Sequence, residues 1–283
     1  MREGRNSDRV SAGGESLVKV EGLSTLEQQL MSEFLAACDQ LADRIEGMVP
    51  KDDTDRRVKM RYAFYFAKGV STFRAFAVLA RGGFIREGEL LSRANLELVI
   101  DLLCFHQSPV EYSLQLEDWL GATNCGLPLA SDDERRANML LRNEFCARYG
   151  LKKFPTHWSG LNKIAERAKA VGFDTEYSGH YRSQCDLAHC GTFAIASYLD
   201  YYSRPDAVLL KTGPDWEEAC LAISSACTWL WYCLRAVDEG LELSSYDLIH
   251  ALYVRLQESS RLVQDAADHR CAVLERALNL DTT

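Results

Sequence analysis

Residues 90–105 read LLSRANLELVIDLLCF, and this stretch decides the fold. Apolar side chains cover nearly the whole circumference of a helix built from it, which is typical of a helix buried inside a protein. Arg93, Glu97 and Asp101 interrupt the apolar surface at a spacing of four residues, so they lie along one edge of that helix. Because a buried charge without a partner costs several kcal/mol, we expect this first stripe to meet partners within the fold.

A second polar stripe lies in residues 178–192, which read SGHYRSQCDLAHCGT. Arg182, Asp186 and His189 share one face of a helix here, and Cys185 lies between them. The sequence predicts that the two stripes face each other, because the arginines of both would then nearly balance the carboxylates. The histidine of the second stripe would titrate near neutrality.

Helix signals fill the rest of the chain. Ser24 with Glu27 and Ser131 with Glu134 form capping boxes, and Pro109 occupies the first position of another helix. No segment alternates apolar and polar residues over the length of a strand. The sequence therefore predicts an all-α fold of about eight or nine helices with no sheet. Residues 1–22 are predicted to form a flexible tail, and residues 23–283 one helical domain with a possible inserted hairpin at 109–150.

Composition limits the function. The 283 residues carry a net charge of −9, which disfavours non-specific binding to duplex DNA. The ten cysteines include no C-x-x-C pair, so a zinc ribbon is not predicted. No apolar run has the roughly 20 residues of a membrane span, and the N-terminus has no apolar signal region. We therefore expect a cytoplasmic protein that does not enter a membrane.

The chain resembles a family of uncharacterised bacterial all-helical proteins over about residues 58–200. The resemblance rests on six marks: the Lys68-Gly69 helix, the turn at Gly82-Gly83, Arg93-x-x-x-Glu97, Ser108-Pro109-x-Glu111, Trp158-x-Gly160-Leu161 and Tyr181-Arg182-x-x-Cys185-x-x-x-His189. The family usually has Ser where this chain has Cys185, and often has Pro where this chain has Cys190. The resemblance implies a fold but no reaction.

The segment from Arg182 and Ser183 to His189 also resembles the Arg, polar residue, spacer, His motif of the HEPN superfamily. That resemblance implies a metal-independent ribonuclease of a bacterial toxin–antitoxin or phage-defence system, helical and usually dimeric. His189 is suited to acid–base catalysis, and the planar guanidinium of Arg182 matches the geometry of a phosphate. A homodimer would bring two copies of His189 to one cleft.

The predicted site has two groups of residues. The catalytic group is Arg182, Ser183, Asp186 and His189, and the binding group is Arg93, Glu97, Tyr181 and Cys185. The predicted enzyme uses RNA as its substrate and needs neither a metal nor another cofactor.

Two alternatives remain open. The stripes would serve as a structural ion-pair network if the protein were a non-catalytic binding or regulatory module. A di-metal helical bundle is the other alternative, because Asp186-x-x-His189 and Asp247-x-x-His250 place an acid and a histidine one turn apart, with Glu97 available.

Overall fold

The computed structural model describes residues 23–124, 131–181, 199–200, 209–210 and 219–261. Nearly all of this part is helical, and the predicted all-α fold is confirmed. The helices are α1 (Thr25–Glu46), α2 (Asp53–Arg81), α3 (Ile85–His106), α4 (Pro109–Asn124), α5 (Asp132–Arg148), α6 (Ile164–Ala170), α7 (Asp174–Glu176), α8 (Ala219–Leu241) and α9 (246–261). A π-helical turn, Tyr177–Tyr181, follows α7 directly.

The helices begin where the local chemistry of the sequence places them. Ser24 and Ser131 each accept a hydrogen bond from the backbone N–H three residues later, and the capping-box glutamate accepts one from the backbone N–H of the cap serine. Asp52 caps α2 in the same way through its carboxylate. These bonds satisfy first-turn N–H groups that have no partner inside the helix, so they fix the helix starts.

The core lies where α2, α3 and α8 pack against one another. Its largest fully buried side chains include Tyr62, Phe105 and Trp229. Gly240 is required for this packing, because a Cβ there would overlap the ring of Tyr62. α1 covers α8 and α2, α4 packs on α2 and α5, and α6 lies on α3. Residues 109–150, predicted as a possible inserted hairpin, contain α4 and α5.

The helix α8 is long and apolar enough to cross a membrane, with a mean hydropathy of 1.3. However, 61% of that apolar window is buried within the domain, against α1, α2 and α3. Its apolar character is therefore explained by its place in the core.

Outside the helices, Leu199–Asp200 pairs antiparallel with Leu209–Leu210, so backbone groups of these residues bond across two short strands. The predicted tail at 1–22 lies outside the described residues.

Candidate functional site

The first stripe runs along one edge of α3. Side-chain exposure is 19% for Arg93, 39% for Glu97 and 24% for Asp101, so the stripe lies at the boundary of the core. Its members divide into two clusters, which occupy successive turns of α3.

The first is the tyrosine cluster, formed by Arg93, Glu97 and Tyr181. Arg93 Nε lies 3.2 Å from Glu97 Oε1, and an Nη atom of Arg93 donates to the Tyr181 hydroxyl at 3.0 Å. The guanidinium also lies over the Tyr181 ring, 4.7 Å from its centroid. Arg93 therefore connects the carboxylate on its own helix to a residue 88 positions later in the chain.

Tyr181 is the last residue of the π-helical turn Tyr177–Tyr181. Its ring stacks on that of Tyr177, with centroids 4.6 Å apart and planes inclined by 23°. Short π-helical turns are rare in proteins and are often found at functional sites. Arg182, the first residue of the second stripe, follows Tyr181 directly in the chain.

The environment of Tyr181 keeps its hydroxyl protonated. Burial raises the pKa of Tyr181 to about 12, the Arg93 hydrogen bond opposes that rise, and the negative charge of Glu97 adds to it. The hydroxyl is therefore a neutral hydrogen-bonding group at physiological pH.

The second is the aspartate cluster, formed by Asp101, His157 and Arg167. Arg167 Nε lies 2.8 Å from Asp101 Oδ1, and His157 Nε2 lies 3.2 Å from Asp101 Oδ2. The Arg167 side chain is only 10% exposed and that of His157 14%. Arg167 also donates to the Leu161 carbonyl at 3.1 Å, so it fixes both α3 and the loop before α6.

Anchors on α4 hold the loop that carries His157. Gln115 donates to the Trp158 carbonyl at 2.8 Å, and Trp119 Nε1 donates to the Pro155 carbonyl at 3.1 Å. Trp158 is buried and packs edge-on against Tyr112 with 5.3 Å between ring centroids. The loop therefore has a fixed position beside α3.

The clusters give the described partners of Asp101. The sequence grouped it with Glu97 facing the second stripe, which lies outside the described residues, and the partners that the structure describes are His157 and Arg167. The reason is the course of the chain, because the loop after Pro155 returns to α3 and supplies both partners. Sequence reasoning missed Arg167 as a site residue, because α6 also carries Glu166 and Lys169 and its pattern does not distinguish Arg167 from them.

The structure brings together Arg93, Glu97 and Tyr181 of the predicted site. Its other predicted members, Arg182, Ser183, Cys185, Asp186 and His189, lie outside the described residues.

The residues described here do not assemble the di-metal set. No group of three or more His, Cys, Asp and Glu side chains suited to a metal occurs in that part of the chain. Glu97 is engaged with Arg93, while Asp247 and His250 are exposed on α9, where the imidazole of His250 stacks on the ring of Tyr246.

The fold and the site define an all-α domain with a charged edge on a buried helix. Residues 62–206 match the model of the Family of unknown function (DUF5677), and the chain belongs to this family. The match covers a little over half of the chain and confirms the predicted resemblance to an uncharacterised family. No curated protein and no solved structure matches the chain, so these comparisons give the HEPN resemblance no support.

Proposed function

We propose that the protein is a cytoplasmic endoribonuclease of a bacterial toxin or phage-defence system, and that it cleaves RNA without a metal. The observation that carries the proposal is the tyrosine cluster, in which Arg93 holds the residue that directly precedes Arg182. A cation and a neutral hydroxyl thus lie at the start of the Arg182–His189 segment.

The chemistry follows from the residue types. One His189 removes the proton of the ribose 2′-hydroxyl, which attacks the adjacent phosphorus and displaces the 5′-oxygen. A protonated histidine gives its proton to that leaving oxygen, and the product is a 2′,3′-cyclic phosphate. Arg182 binds the phosphate through its planar donors, with Ser183 or Tyr181 positioning it, and Asp186 orients the charged groups. A homodimer supplies the second histidine.

The net charge of −9 restricts the kind of nucleic acid that we expect as the substrate. It disfavours extended contact with a duplex and favours a short single-stranded segment bound at a local basic site. We therefore propose single-stranded RNA as the partner, and no membrane.

The test incubates the purified protein with labelled single-stranded RNA in the presence of EDTA. The proposal expects cleavage products with cyclic phosphate ends, and their loss in H189A and R182A that melt like the wild type. H250A is the matched control, because His250 is exposed and its ring stacks on that of Tyr246. Intact RNA with the wild type, or cleavage retained in H189A, would overturn the proposal.

A second candidate is a non-catalytic binding or regulatory module. The aspartate cluster favours it, because its ion pairs join α3, α6 and the loop before α6 in the manner of a structural network. This candidate expects no RNA cleavage by the folded wild type, and a loss of folding in both H189A and R182A.

A further inference from the structure

A chain of polar side chains in contact extends outward from the aspartate cluster. Asp101 Oδ2 lies 3.2 Å from His157 Nε2, and Nδ1 of the same imidazole lies 2.8 Å from the Ser159 hydroxyl. Serine, histidine and aspartate are therefore in contact in that order. The proposed ribonuclease uses neither His157 nor Ser159.

The backbone determines the direction of the hydrogen bond between His157 and Ser159. The amide N–H of Ser159 donates to His157 Nδ1 at 3.3 Å, so this ring nitrogen is an acceptor. In the neutral imidazole, the proton then lies on Nε2, the ring nitrogen that is 3.2 Å from Asp101 Oδ2. With Nδ1 as an acceptor, the Ser159 hydroxyl donates its proton to it. This is the arrangement in which a histidine withdraws a proton from a serine nucleophile.

The surroundings hold this chain in place. Arg167 Nε forms an ion pair with the other oxygen of Asp101 at 2.8 Å. Gly160, with φ +78°, turns the backbone immediately after Ser159. The Leu161 N–H donates to Ser159 Oγ at 3.3 Å, so a backbone donor lies beside the oxygen that would react. His157 and Ser159 are both partly exposed, which leaves the chain open to a reagent.

We propose that Ser159 is a nucleophile for activated carboxylic esters, with His157 as its base and Asp101 as the residue that positions His157. Ser159 Oγ bonds to the acyl carbon while its proton passes to His157 Nδ1. The ester C–O bond then breaks, and the leaving alcohol takes that proton. Water, deprotonated by His157, then cleaves the acyl–serine bond, releasing the carboxylic acid and restoring the serine.

The test labels the purified protein with a biotinylated fluorophosphonate, which bonds to activated serines with loss of fluoride. The proposal expects one label per chain, which peptide mapping places on Ser159. It expects no labelling of S159A. It expects H157Q to be labelled at least roughly a hundredfold more slowly than the wild type, because a general base contributes about that factor to the rate. S178A is the control, since Ser178 is an exposed serine whose hydroxyl donates to the Thr175 carbonyl.

Mapping on the wild type decides the question even if S159A does not fold. Absence of labelling, or labelling at another serine, overturns the proposal. Equal labelling of a folded H157Q variant does so as well. None of these readouts involves RNA. A negative result for Ser159 is therefore distinguishable from a failure of the proposed ribonuclease activity.

Discussion

The two clusters on the edge of α3 begin from similar sequence but differ in their chemistry. Glu97 and Asp101 are successive carboxylates on one helix edge. Glu97 is paired with an arginine of its own helix and is 39% exposed. Asp101 is paired with a histidine and an arginine from elsewhere in the chain, and the Arg167 side chain is 10% exposed. The comparison shows that the partners, rather than the spacing, determine what a carboxylate on a helix edge does.

The difference predicts an unequal distribution of stability. Removing one member of the more enclosed ion pair leaves the other charge largely buried, whereas the i, i+4 pair with the more exposed carboxylate contributes less. The aspartate cluster should therefore dominate the stability of this edge.

The largest expected effect is that of D101N, which leaves Arg167 without its carboxylate. We expect the free energy of unfolding to fall by about 3 kcal/mol, measured by urea denaturation. D39N is the matched control, because Asp39 pairs with Arg74 at the surface and the two side chains are 67% and 57% exposed. D39N should change the free energy of unfolding by less than about 0.5 kcal/mol. Equal effects of D101N and D39N would contradict the comparison.

The next effect is that of R93A, which removes both contacts of the guanidinium with Tyr181. The lost hydrogen bond and cation–π contact together predict a decrease of about 1–2 kcal/mol in the free energy of unfolding. R93K keeps the charge but loses the planar donor geometry, so its free energy of unfolding should lie between those of the wild type and R93A. If R93A were as stable as the wild type, the contacts between Arg93 and Tyr181 would contribute nothing to the stability of the fold.

A smaller effect is that of Y181F, which removes the hydroxyl and keeps the ring. At pH 8 we expect a decrease of about 1 kcal/mol in the free energy of unfolding. The pKa of Tyr181 is raised to about 12 in the folded protein, so its contribution is full below the ordinary tyrosine pKa, near 10, and is lost as the pH rises towards about 12. The difference between wild type and Y181F should therefore narrow over that range, and a constant difference would contradict the assigned shift.

The smallest effect is that of E97Q. Glu97 is 39% exposed and pairs with an arginine one turn away on the same helix, so we expect a change of at most about 0.5 kcal/mol. Thermal melting at low and high salt checks this expectation. A change as large as that of D101N would remove the distinction between the clusters.

The sequence predicted much of the fold because the deciding signals are local. The boxes at Ser24 and Ser131 depend on residues three positions apart, and the burial of α3 follows from its apolar circumference. The partners of Asp101 were not predictable in this way. His157 and Arg167 lie 56 or more positions later, and only the return of the loop brings them to α3. The spacing of residues in the sequence also does not predict the π-helical turn that ends at Tyr181.

The most direct test of the two-cluster account is a double-mutant cycle between Asp101 and Tyr181, measured as free energies of unfolding of D101N, Y181F and the double variant. Residues that share no partner have additive effects, so the account predicts a coupling energy within about 0.5 kcal/mol of zero. A coupling energy of about 1 kcal/mol or more would mean that the edge of α3 is one continuous network, and would contradict the account.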